Sequence, residues 1–387
     1  MMKRILVVAT ALLITIAVVI TSCSKDGSES GYNRIILVYL AANNNLSNYA
    51  SDNVSNLLKG YLPKENSNDV LLVYSHLMDH TPVLLRIYRD DNGVPQQDIV
   101  ANYDNQNSTT PQVLNSVLKK IKIIFPAKEY GLILWSHGTG WLPQNYYDNP
   151  EMFGVFMPDP YSDIVKSFGF ESGVEMDIKE MAASIPYHFS FIIFDCCLMG
   201  GVEVAYEIKN KCDYIIASPA EVLATGFPYD VIMEPLFRSK ADLEEVCQRY
   251  FDFYDSQNGV YKSATIALYR SDKFDELAAV CKSIFATNRE KLNSLQVTGI
   301  QRYFRLNKHW FYDIGDFISR IASQQELLQF NDALSKVVIK KLTTPTFLDF
   351  TINSYSGLST YIQSNGSSFL DSYYKGYKWN IATEMVK

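Results

Sequence analysis

The stretch SFIIFDCCLMGGVEVAYEIK, Ser190 to Lys209, changes its periodicity halfway. Phe191-Ile192-Ile193-Phe194 is a continuous apolar run, as expected of a strand buried on both faces of a parallel sheet. It ends at Asp195-Cys196-Cys197. Past Gly200-Gly201, residues Val202, Val204, Ala205 and Ile208 fall on one broad helical face. A thiol between strand and helix is expected near unpaired N–H groups and the positive end of a helix dipole, which favour thiolate over thiol. The competing reading is that cysteine here is small core filler.

A second stretch, YGLILWSHGTGW (Tyr130 to Trp141), repeats the pattern. An apolar strand, Leu132 to Trp135, breaks into Ser136-His137-Gly138-Thr139-Gly140. If the two strands are parallel neighbours, their C-terminal ends share the sheet edge where open α/β folds bind ligands. His137 would then face the cysteines across that edge. A separation of 60 positions leaves room for a crossover helix, and Gly138 allows close backbone approach to a substrate carbonyl.

On SHGTGW and FDCCLMGGVEVAYE the chain resembles the clostripain-like cysteine peptidases, which have a caspase-like sheet and a His–Cys dyad. ILVYLAANNNL, SFGFESGVEMDIKEMA, CDYIIASPAEVLATGFPYD, FYDIGDF and YSGLSTYIQ match as well, in the family's order. The resemblance implies an α/β fold: a caspase-like, mostly parallel sheet flanked by helices. The peptidase domain is expected over 32–270; from about Ser271 the composition shifts to long helical patterns, so 271–387 reads as a smaller, mainly helical C-terminal region. Calcium dependence occurs among such relatives, but no ligand cluster is visible here, and no metal or other cofactor is expected.

Composition agrees with a large folded protein. Of 387 residues, 47% are hydrophobic and 13% aromatic, ample for a core. The formal charge of −7 excludes a basic nucleic-acid footprint. Lys3 and Arg4 precede an apolar run from Ile5 to Ile20, and Ile20-Thr21-Ser22-Cys23 reads as a lipobox. Residues 1–22 are thus expected to be a lipoprotein signal peptide, with Cys23 lipidated and 23–31 a polar tether. This implies a bacterial cell-envelope protein held by its N-terminal lipid at the outer membrane or cell surface. The other cysteines, 196, 197, 212, 247 and 281, are odd in number and lack metal-site spacing, so no structural disulfide is expected.

Along the chain, Arg34 to Ala42 reads as the first strand, followed by a turn at Asn43-Asn44-Asn45 and a helix from Leu46 to Tyr61. Asp69 to Ser75 and Val83 to Tyr88 read as a hairpin-like pair of strands. Thr110-Pro111 starts a helix. Gln144 to Gly173 is a long irregular loop between the two candidate elements, and such loops are often functional. Asp177 caps the next helix. Asp213 to Ser218 and Ser263 to Tyr269 are strands, and Phe274 to Phe285 and Phe317 to Leu342 read as helices. His188 and His309 read as structural or surface residues.

The chemistry this implies is acyl transfer to sulfur. The family pattern Asp-x-Cys-Leu-Met puts the nucleophile at Cys197 and the acid–base at His137. Strand alternation adds that Asp195 and Cys197 point one way while Cys196 points the other, into core. Backbone N–H groups of Gly138 and Cys197 are the candidate oxyanion hole. Asp195 is the candidate pocket carboxylate for Arg or Lys before the cut. Thr225 stands where many relatives carry a second acid, which weakens that preference. The resemblance also implies activating cleavage after a basic residue in the 144–173 loop; Lys166 is the only Lys or Arg between His137 and Lys179. The expected partner is a peptide or protein substrate. The alternative is a lipid-anchored binding protein that keeps this scaffold without turnover.

Overall fold

A computed structural model of the protein describes residues 31–144, 146, 161, 176–305, 310–363 and 366–387. Cys23, Lys166 and His309 lie outside the described residues. The first strand, β1 (Tyr32–Ala42), is followed by α1 (Ser47–Lys59), β2 (Asp69–Leu77), β3 (Val83–Arg89) and β4 (Pro95–Asn102). Then come α2 (Pro111–Ile124), β5 (Ala127–Trp135), α3 (Ile178–Ser184), β6 (Phe189–Asp195), α4 (Val202–Ile208) and β7 (Cys212–Ala217). After α5 (Tyr229–Leu236), α6 (Leu243–Asp255) and β8 (Thr265–Arg270), the chain forms α7 (Phe274–Thr287), α8 (Ile314–Ile321), α9 (Gln324–Val337) and β9 (Val338–Thr343). Two short helices, α10 (Ser368–Tyr374) and α11 (Lys378–Thr383), follow.

Nine strands form one sheet in the order β9-β8-β7-β6-β5-β1-β2-β3-β4. The middle of it, β2-β1-β5-β6-β7, is parallel. β3 and β4 close one side antiparallel, and β8 and β9 the other. The parallel strands are the continuous apolar runs: Leu132, Ile133 and Phe191 to Ile193 are fully buried. Such strands need cover on both faces, and the intervening helices supply it. This is the mostly parallel, helix-flanked α/β sheet expected from the sequence.

Two elements differ from the sequence reading. β4 has only one buried residue, and its short apolar run Ile99-Val100-Ala101 follows the polar Gln96-Gln97-Asp98 without strand-like alternation. Phe317 to Leu342 is not one helix. Ser323 starts a new one with a reciprocal capping box to Glu326, and β-branched Val338-Ile339 leads into a strand that joins the main sheet beside β8. The segment after residue 271 therefore completes the sheet as well as contributing helices.

Close packing constrains β5 and β6 at one point. They pair Gly131 with Phe191 in register. A Cβ at position 131 would overlap the Phe191 ring. Further on, every residue of α4 is buried, including two glutamates. Glu203 Oε1 accepts from Thr360 Oγ1 (2.9 Å), the Tyr361 amide (2.9 Å) and Tyr374 Oη (2.6 Å). Glu207 accepts from the Lys378 amide at 2.7 Å and pairs with Lys378 Nζ at 2.9 Å. The C-terminal segment is thus docked onto the helix that follows the two cysteines. Burial raises the Glu203 pKa above the carboxylate range, against the opposing pull of those hydrogen bonds.

Gly131→Ala is expected to cost about 1–3 kcal/mol in urea unfolding, partly recovered by adding Phe191→Leu. Glu203 binds its proton more tightly folded than unfolded. Its contribution is therefore full below the unfolded carboxyl pKa and is lost as pH rises through the folded one. Glu203→Gln should accordingly gain stability on wild type as pH climbs from about 4 toward neutrality. A pH-independent difference between the two unfolding curves would contradict this.

Candidate active site

The last residues paired between β5 and β6 are Trp135 and Asp195. His137 and Cys197 each lie two residues further along, so register alone brings them to the same sheet edge. The two exits touch: a Cβ on Gly138 would lie 2.5 Å from the Cys197 carbonyl oxygen and 3.0 Å from Cys196 Cβ. Any larger residue would push the exits apart. The close approach expected of Gly138 is therefore made first to the protein's own backbone.

The His137 exit is held from several sides. Ser136 Oγ donates to the Ala41 carbonyl at the end of β1 (2.9 Å). Trp135 Nε1 donates to Asn53 Oδ1 (2.8 Å), and Asn53 Nδ2 donates to the Thr225 carbonyl (2.8 Å). One asparagine on α1 thus ties β5 to the loop after β7. Trp141 is fully buried, with its ring against Tyr361 and Tyr374, and its carbonyl accepts from Tyr377 Oη at 2.5 Å. His137 Nε2 pairs with Asn45 Oδ1 at 2.9 Å. Asn45 was read from sequence only as part of a turn. The signal for it was present: a polar run directly at the C-terminal end of a buried parallel strand.

Cys197 is 1% exposed. Its Sγ accepts from the Val222 amide at 3.1 Å and lies 3.5 Å from the Val222 carbonyl. The N–H suits a thiolate and the carbonyl suits a thiol, so one loop residue can serve both forms. This corrects the helix-dipole expectation. α4 begins only at Val202, after a connector in which Leu198 adopts φ +62° and the Leu198 and Gly200 amides bond to the Ala220 and Ser218 carbonyls. A loop amide, that of Val222, donates to the sulfur. Cys196 does turn the other way, its Sγ 3.3 Å from the Leu134 carbonyl, but it lines a cavity together with His137 and is not plain core filler.

Asp195 and Cys197 both face the loop after β7, as alternation requires. Asp195 is fully buried and accepts from the Phe227 amide (3.2 Å) and Tyr229 Oη (2.9 Å). Burial first, and the Asp195 charge second, push the Tyr229 pKa well above 10. Thr225, in the same loop, is exposed. The loop is fixed by an ion pair with both side chains 1% exposed: Arg305 Nε faces Glu221 Oε2 at 3.1 Å, and Arg305 Nη2 donates to Glu221 Oε1 at 3.1 Å. Neither residue was singled out in the sequence, because an ion pair across 84 positions leaves no local pattern. The residue after Glu221 is Val222, which holds the Cys197 sulfur.

Elsewhere, His76 is buried with Nδ1 on Ser108 Oγ (2.7 Å) and Nε2 on Asn105 Oδ1 (3.1 Å), while His188 pairs with Asp213 at the surface. Among the described residues no three His, Cys, Asp or Glu side chains gather as metal ligands.

Comparison with known proteins gives a consistent result. The sequence model of the clostripain family matches residues 38–382. Clostripain of Hathewaya histolytica is 25% identical over 239 residues, 54% of this chain and 43% of that protein, so the match spans less than half of that relative. Among solved structures, an inactive zymogen C11 protease from Parabacteroides distasonis is 32% identical with a TM-score of 0.79, covering 92% of this chain and 99% of that one. A secreted C11 cysteine protease from Bacteroides thetaiotaomicron, in complex with an irreversible peptide inhibitor, is 28% identical with a TM-score of 0.77, covering 91% and 99%.

Arg305→Met would strand the Glu221 carboxylate in the interior. It is expected to lower stability by about 3–5 kcal/mol in urea unfolding, with Glu221→Leu/Arg305→Met recovering most of the loss. A single-variant cost below about 1 kcal/mol would mean that the pair behaves as a surface one.

Proposed function

The chain belongs to the clostripain family of cysteine peptidases, and on that premise we propose that it is a cysteine endopeptidase in which Cys197 is the nucleophile and His137 the acid–base. The Cys197 proton passes to His137. The thiolate attacks the peptide carbonyl, the C–N bond breaks as His137 protonates the leaving amine, and water then hydrolyses the thioester. The reaction as proposed uses protein groups and water alone. The observation that carries this reading is the contact between the two strand exits at Gly138. It keeps imidazole-bearing and thiol-bearing backbone adjacent, and the Gly138 and Cys197 amides are the proposed donors to the developing oxyanion.

In the resting arrangement His137 bonds Asn45, and Cys197 bonds Val222. On this proposal, activation aligns the imidazole and the sulfur with the substrate carbonyl. Apo hydrogen bonds often tighten only in the Michaelis complex. Cleavage after Lys166 in the 144–173 loop is the proposed trigger. Asp195 is proposed to select Arg or Lys before the scissile bond. Without a second acid at Thr225, and with Asp195 already accepting from Tyr229 and Phe227, that selection is weaker than a two-carboxylate pocket would give. The Lys3-Arg4 start, the apolar Ile5–Ile20 run and the Ile20 to Cys23 motif support lipidation of Cys23 and attachment to the bacterial outer membrane or cell surface.

The test is labelling by a thiol-reactive peptide probe ending in Lys, together with product analysis on a mixed peptide library. Cys197→Ala should lose labelling and lower kcat by about 10⁴-fold or more, whereas Cys196→Ala should keep labelling. Equal labelling of wild type and Cys197→Ala would favour a lipid-anchored binding protein. Cleavage scattered over residue types would remove the basic preference.

A further inference from the structure

The cavity beside His137 lies on the opposite side of the dyad from Asp195. Leu114, Leu134, Ile178, Met181, Phe194 and Met199 form its apolar walls, and His137, Gly138 and Cys196 are at the catalytic end. Its volume is about 100 Å³. Among the described residues, no Asp, Glu, Lys or Arg lines it. We propose that this cavity receives the side chain that follows the scissile bond and selects a medium-sized aliphatic residue there.

The inference rests on the Cys197–His137 reading and follows from the direction of proton transfer. The general acid must reach the leaving nitrogen, so the chain beyond that nitrogen departs on the imidazole side. Strand alternation sends Asp195 and Cys197 toward the loop after β7, and Cys196 toward this cavity. A substrate with its basic side chain at Asp195 therefore directs its next residue toward Cys196 and His137. The walls then set the preference. A charged side chain placed there would exchange water for mainly apolar walls and the hydroxyls of Ser108, Thr109 and Thr139, and a carboxylate would compete for the His137 proton that the leaving amine needs. An apolar cavity of roughly 150 Å³ accommodates benzene, so the smaller space here suits Val, Leu or Met better than Trp. Two of the named wall residues are methionines, which adjust to several aliphatic shapes.

The experiment uses the full chain and peptides identical except for the residue after Lys: Leu, Val, Ala, Trp, Asp or Lys. The expected kcat/KM for Leu exceeds that for Asp by at least about tenfold, in the range one pocket contact can discriminate. Met181→Ala should move the optimum toward larger side chains, and Met181→Phe should bring the Leu peptide down toward the Ala peptide. The Lys-ended probe carries nothing beyond its Lys, so its labelling monitors whether each variant retains a folded, reactive Cys197. If a variant fails to fold, the wild-type series still decides. Labelling of wild type with a flat peptide series, or with a preference for Asp, overturns the cavity assignment alone. Absence of both labelling and cleavage overturns the dyad reading, and this inference with it.

Discussion

A carbonyl oxygen occupies the space where residue 138 would otherwise carry a side chain. That contact, between Gly138 and Cys197, is possible because β5 and β6 run parallel and in register up to Trp135 and Asp195. Two chain segments sixty positions apart thus leave the sheet together. Everything chemical in this molecule is arranged around that crossing: the imidazole on one side, the two thiols on either face, and the loop after β7 closing over one of them.

The loop after β7 does several tasks through a few buried groups. Its Val222 amide holds the Cys197 sulfur, its Phe227 amide and Tyr229 hydroxyl hold Asp195, and its Thr225 carbonyl is tied to α1 through Asn53. The Glu221–Arg305 pair anchors the same loop from 84 positions further along the chain. Buried ions carry a large desolvation cost, which the attraction between the two charges offsets. The result is a loop wall beside Cys197, positioned by residues that do not themselves touch its sulfur.

How much of this could be read in advance differs by element. The parallel strands declared themselves as apolar runs, and the helices α1, α2, α6 and α7 as amphipathic stripes. β4 did not, because this edge strand, with a polar first half and Ile99-Val100-Ala101 after it, does not alternate. β9 was hidden inside a helical pattern, since Val338, Ile339 and Leu342 fit both periods and only pairing with β8 selects the strand. At the site, His137, Cys197, Asp195 and Gly138 all stood out. Asn45, Val222, Glu221 and Arg305 did not, because each acts through a partner remote in sequence or through its backbone.

Local periodicity and residue type by themselves determined the alternation of strand and helix and the two strand ends that matter; motif resemblance to the clostripain family then singled out Cys197 and His137 as candidate nucleophile and base. The tertiary structure alone decided what each polar atom meets. His137 meets an asparagine 92 positions away, and the Cys197 sulfur meets an amide 25 positions away. It also decided that Cys196 borders a cavity. The physical reason is range. Strand and helix periods come from the geometry of neighbouring residues. A hydrogen-bond partner or a cavity wall exists only once distant segments have packed.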